Sequence, residues 1–96
     1  MYGLISKIKV VPGQRDALIS ILIKGATGMP GCLSYIIGKD QTDQDAIWIT
    51  EVWLNQTSHQ ESLSLPSVQK AITLGRPIIA GFDGRFETTP IGGLGI

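Results

Sequence analysis

Glu51, Trp53 and His59 are the grouping in this chain whose residue types and spacing best suit chemistry. Glu51 and Trp53 are two positions apart, which puts both side chains on one side of a β-strand. His59 follows, and Leu63 lies four residues beyond it, one helical turn away. Imidazole titrates near neutrality, so a histidine at the mouth of an apolar pocket can act as a general base. It can equally be a solvated side chain in the first turn of a helix. Glu51 can support proton transfer, or form a structural ion pair with Arg85 or Lys7. Trp53 reads as a pocket wall or a core residue. Tyr35 can offer a phenolic hydrogen bond inside a pocket, or pack across strands. Arg85 and Glu87 alternate with Phe86 and read as edge or interface charges. Arg76 reads as a cation compensating a helix dipole. Cys32 has no basic neighbour in sequence and reads as a small buried hydrophobe, not a nucleophile.

The elements that position these residues follow from periodicity. Leu4, Ile8 and Val10 alternate with Lys7 and Lys9, which predicts a strand over 2–11, closed by Pro12-Gly13. Leu18, Ile21 and Leu22 fall at helical spacing over 14–24, opposite a stripe of Asp16, Ser20 and Lys24. Residues 32–39 and 46–53 read as two strands joined by a polar turn, a hairpin. The second of these puts Ile47, Ile49, Glu51 and Trp53 on one face and Trp48, Thr50 and Val52 on the other. A helix is expected over 55–65, with Thr57 and Gln60, or Ser58 and Glu61, as a capping box. Pro66 breaks it, Ser67 caps a further segment over 68–74, and a last strand runs over 78–88. Residues 89–96 are expected to be a flexible or partner-docked tail. The order β-α-β-β-α-β predicts an α+β, ferredoxin-like domain spanning 1–96, with a four-stranded antiparallel sheet. The strand over 46–53 is apolar on both sides, so the face away from the helices is expected to lie against a second subunit.

Composition narrows the function classes. The chain has 96 residues, eight basic and eight acidic, and a formal net charge of zero. That balance excludes a basic nucleic-acid binder as the default. One cysteine and one histidine exclude an intrachain disulfide framework and a structural zinc site built from Cys and His. No apolar run approaches the roughly 20 residues that span a bilayer, so no membrane segment is expected and a cytoplasmic protein is the simplest reading.

Met29-Pro30-Gly31-Cys32-Leu33-Ser34-Tyr35 resembles the P-G-C-x-x-Y segment of the antibiotic biosynthesis monooxygenase family. Glu51-x-Trp53, His59 and Pro66 are similar to that family's E-x-W…H…P pattern, and Gly92-Gly93-Leu94-Gly95-Ile96 to tails found in some members. The resemblance implies a dimeric α/β barrel of two ferredoxin-like subunits. Family members include cofactor-free oxygenases of quinols and polyketide phenols, heme-degrading enzymes and an isomerase of a phosphorylated signalling molecule. It implies a pocket between sheet and helices, with His59 as the catalytic base and Trp53, Tyr35, Ile49, Leu63 and Ser6 against the substrate. Glu51 and Arg85 would give polar support. Ile49 and His59 stand where the polyketide branch has Asn and Tyr. Ser6 and Gln69 stand where the heme-degrading branch has Asn and His, so no axial heme ligand is expected. The resulting expectation is a cofactor-independent monooxygenase with no metal, using dioxygen and a small quinol or phenol. The alternatives are a non-catalytic dimer that binds a small apolar molecule, or an isomerase of a small signalling metabolite. Arg or Lys side chains beside His59 would favour the isomerase, and an apolar wall would count against it.

Overall fold

The structure, a computed structural model, describes all 96 residues. Its first strand, β1 (Tyr2–Val10), shows why the sheet has two unlike faces. Tyr2, Leu4, Ser6, Ile8 and Val10 are buried on one side, while Ile5, Lys7 and Lys9 point to the other. The remaining strands are β2 (Cys32–Lys39), β3 (Ala46–Trp53) and β4 (Ile79–Thr88). They pair antiparallel in the order β2-β3-β1-β4. Helices α1 (Arg15–Gly25), α2 (Gln56–Ser62) and α3 (Pro66–Gly75) cover the Tyr2 side, and a 3₁₀ turn over Arg76–Ile78 leads into β4. This is the ferredoxin-like α+β pattern expected from the sequence, with the second helical region divided in two. No helix is long and apolar enough to cross a membrane.

Register fixes what meets what. Tyr2 lies opposite Trp53, Leu4 opposite Glu51, Ser6 opposite Ile49 and Ile8 opposite Ile47. On the far side of β1, Leu4 meets Glu87, Ser6 meets Arg85 and Ile8 meets Phe82. The helix-facing core forms two clusters. Ile8, Val10, Leu18, Ile47 and Ile49 make one, and Tyr2, Leu4 and Trp53 the other. Full burial of a side chain such as Leu18 or Trp53 stabilises the fold by about 2–3 kcal/mol each. Gly25 lets α1 and α3 touch, since a Cβ there would meet Ala71 Cβ at 2.6 Å. Gly31 is required twice over. Its φ is +80°, and a Cβ would sit 2.6 Å from Ser58 Oγ. Its carbonyl accepts Leu54 N–H at 2.9 Å, tying the end of β3 to the start of β2.

Several sequence expectations shift locally. Neither proposed capping box forms. Asn55 is the N-cap of α2, its side chain accepting Ser58 N–H at 2.8 Å. Pro66 does not merely end a helix but opens α3 at its first position, where a missing N–H costs nothing, so Ser67 lies inside the helix instead of capping it. Val11 falls outside β1, Gln14 is the N-cap of α1, and Ile78 belongs to the 3₁₀ turn. The polar turn between β2 and β3 is organised by Asp40. Its carboxylate accepts Trp48 Nε1–H at 2.8 Å and the Asp43 amide at 2.8 Å. These bonds hold it well below the usual carboxylate range. Lys7 sits over the Trp48 ring and beside Asp83 and Asp40. The expected alternative of a Lys7–Glu51 pair therefore does not occur, because odd-numbered residues of β1 face away from Glu51.

Candidate functional site

Between the sheet and the helices lies a cavity of about 520 Å³. Fifteen of its twenty-three lining residues are hydrophobic, so its walls are apolar in the manner of small-molecule sites. β1 supplies Leu4, Ser6 and Ile8; β3 supplies Ile49, Glu51 and Trp53; α1 and α3 supply Leu18, Leu22, Val68 and Ile72. The hollow explains why Leu22, Met29, Val68 and Ile72 are only partly buried although they point inward.

One end of the cavity is polar. Alternation along β3 aims Glu51 and Trp53 into it, and the Asn55 cap starts α2 so that His59 faces them. Glu51 is buried, and Oε1 accepts the Trp53 Nε1–H at 3.1 Å. His59 Nε2 lies 3.8 Å from the same oxygen. The imidazole is flanked by Trp53 edge-on, with ring centroids 5.5 Å apart, and by Tyr2 at 5.6 Å. Tyr2 is held in turn by its hydroxyl, which donates to Glu87 at 2.8 Å. Burial pushes the Glu51 carboxyl above its ordinary range and the His59 imidazole below its own, the latter helped by the positive charge of Arg85. Each partner is moved toward its uncharged form, so the contact is a polar pair rather than a committed ion pair. An imidazole neutral at pH 7 can accept a proton, as a general base must.

All eight residues singled out from sequence line this cavity: Ser6, Tyr35, Ile49, Glu51, Trp53, His59, Leu63 and Arg85. Burial also pushes the Tyr35 phenol up, keeping it protonated as a potential donor. Arg85 and Glu87 are charges of the edge strand β4, as expected, and they lie on the helix side of the sheet, across from Ser6 and Leu4. Their mutual distance is 3.9 Å with both half-exposed, a contact worth at most about 1 kcal/mol. Sequence reasoning missed Tyr2 and Phe82, and gave Arg76 only a dipole role although it lines the cavity. The even-numbered alternation of β1 could have found Tyr2. Phe82 follows a register shift in the β1–β4 pairing that no pattern announces. No group of three or more His, Cys, Asp and Glu residues is arranged to hold a metal ion.

The family model for antibiotic biosynthesis monooxygenase matches residues 1–74. The chain is 63% identical to a candidate antibiotic biosynthesis monooxygenase from Chloroflexus aurantiacus J-10-fl, covering 96% of this chain and 94% of that one, with a TM-score of 0.94. A candidate member from Deinococcus radiodurans is 23% identical, with 100% and 98% of the two chains covered and a TM-score of 0.78. A Pseudomonas aeruginosa protein is 17% identical, with 95% and 94% covered and a TM-score of 0.81. The last two share the fold alone. No protein of curated function matches the sequence.

The electrostatics of the polar end yield a direct expectation. His59 should titrate below its ordinary 6.5 in the folded protein, and Arg85→Gln should move it upward, because the guanidinium charge contributes to the depression. The His59 contribution to stability is complete above 6.5 and is lost as pH falls toward the folded value. Imidazole NMR titration checks both shifts. A wild-type value at or above 6.5 contradicts the arrangement.

Proposed function

The chain belongs to the antibiotic biosynthesis monooxygenase family, and from that premise we propose that it is a cofactor-independent monooxygenase of a small quinol or phenol. The observation that carries this reading is a lone imidazole, shifted toward its neutral form, at the polar end of an otherwise apolar cavity. His59 takes the hydroxyl proton of the bound substrate. The resulting phenolate is a far better electron donor than the phenol and passes one electron to dioxygen. The two radicals combine to form a carbon–oxygen bond at the ring. Cleavage of the O–O bond then leaves a ring carbonyl, and the second oxygen atom departs as water. For a hydroquinone the balance is hydroquinone plus dioxygen to hydroxyquinone plus water.

The protein's own part is to bind, orient and accept the proton. Trp53, Tyr35, Ile49, Leu63 and Ser6 hold the ring against His59, and Glu51 and Arg85 support the polar end. The apolar walls keep water from the radical and peroxide stages. A cation near His59 is what the isomerase alternative asks for, but the predominance of apolar lining favours an aromatic substrate over a sugar-like one. The reading takes the protein to work in the cytoplasm, where Cys32 remains a free thiol.

The reading also includes a homodimer. Ile36, Thr50, Ile5 and Phe86 form one cross-strand row on the sheet face opposite the helices. Ile36 is 60% and Phe86 56% exposed, an apolar surface that a second copy would cover.

Oxygen uptake over a panel of hydroquinones and naphthols tests the activity. Wild-type protein should consume oxygen, and His59→Ala should lose about a hundredfold or more in kcat. Wild-type rates from that variant on every active substrate contradict the assigned base. Sedimentation at micromolar concentration should give a dimer that Ile36→Lys with Phe86→Glu converts to monomer. A wild-type monomer contradicts the paired sheet faces.

A further inference from the structure

We propose that the cavity selects an amphiphilic substrate, an aromatic hydroxy acid whose carboxylate is bound by Arg85. The inference rests on the reading of the cavity as the substrate site and specifies what enters it. The chain as a whole is neutral, with eight basic and eight acidic residues. The cavity lining is not: it contains Arg76 and Arg85 against the single carboxylate of Glu51.

Most other cations of the fold are already engaged. Lys7 lies beside Asp83 and Asp40, Lys9 is bonded to Asp43, and Lys39 pairs with Asp16. Arg15 donates to the carbonyl of Asp43 at 3.0 Å. Arg85, by contrast, is held loosely at the cavity: its one ion-pair contact, to Glu87, is 3.9 Å long, and it also lies beside the Tyr2 hydroxyl that Glu87 accepts. Its guanidinium carries five N–H donors, more than Glu87 and Tyr2 can occupy, and it lines the cavity, where its charge acts on His59 and Glu51.

Register places Arg85 directly across from Ser6, and Ser6 across from Ile49. An anion at Arg85 would have the Ser6 hydroxyl beside it, while the aromatic body lay along Ile49 toward the apolar wall. The planar guanidinium matches a carboxylate with two parallel hydrogen bonds, which a carboxamide cannot reproduce. The same group at the polar end keeps the substrate hydroxyl near His59, so one contact supplies both affinity and orientation.

Calorimetric titration of the full chain tests this, with hydroxynaphthoate, its carboxamide and naphthyl phosphate as probes. Wild-type protein should bind the carboxylate about ten- to a hundredfold more tightly than the carboxamide. Arg85→Gln should abolish that preference with an unchanged amide fingerprint spectrum, which shows the cavity intact, and Arg85→Lys should restore part of it. Equal binding of the two probes by wild type, or a preference that survives Arg85→Gln, overturns the proposal. Tighter binding of the phosphate than of the carboxylate overturns the carboxylate assignment. Oxygen uptake separates the two levels of the account. Arg85-dependent binding without uptake upholds this inference and removes the oxygenase reading. Uptake with a neutral hydroquinone and no carboxylate preference removes this inference alone.

Discussion

The antiparallel pairing of β1 with β3 is the constraint from which the rest of the architecture follows. Tyr2 stands opposite Trp53, Leu4 opposite Glu51 and Ser6 opposite Ile49. Side chains alternate across a sheet with a period of two, so a slip of one residue would exchange the faces. If β3 slipped, Glu51 and Trp53 would point away from the helices, and Trp48, Thr50 and Val52 would enter the interior. Burial of Trp53, Ile47 and Ile8 on the helix side opposes such a slip. The same register gives the opposite face its apolar row through Ile36, Thr50, Ile5 and Phe86. Core packing and site geometry are thus two results of one pairing.

The interior that this pairing creates is hollow at its centre and polar at one end. Apolar walls would make an isolated charge there costly, and the chain answers with groups biased toward neutrality. Glu51 is satisfied by the Trp53 indole N–H, and His59 is held between two aromatic rings. Arg85 stays half-exposed, where water still solvates it. The polar end therefore grades from a buried carboxyl, through a partly buried imidazole, to a half-exposed cation. That gradient suits a ligand with an apolar body and one polar end, which connects the proposed chemistry to the proposed selectivity.

Much of this was legible in the sequence, and the remainder was illegible for physical reasons. Alternation identified both faces of β3, and Glu51, Trp53 and His59, grouped by their spacing, line one cavity. Pattern says less about where a helix starts. Asn55 outcompeted Thr57 and Ser58 as the cap because its carbonyl oxygen reaches the Ser58 amide, and Pro66 began a helix because its fixed φ suits the first turn. Cross-strand partners lie beyond any local pattern. Tyr2 joins His59 only through the pairing of chain ends with β3 and β4, and the facing of Arg85 depends on the β1–β4 register. Lys7 was a plausible partner for Glu51 by charge alone, and the pleat separates them.

The central claim is that the cavity between sheet and helices receives an aromatic substrate beside His59. Backbone amide chemical-shift mapping with naphthohydroquinone under argon tests it most directly, since binding is read without turnover. The account expects perturbations concentrated at Leu4, Ser6, Ile49, His59 and Leu63. Perturbations confined to Ile5, Ile36, Thr50 and Phe86 on the opposite face, or none at saturating ligand, would contradict it.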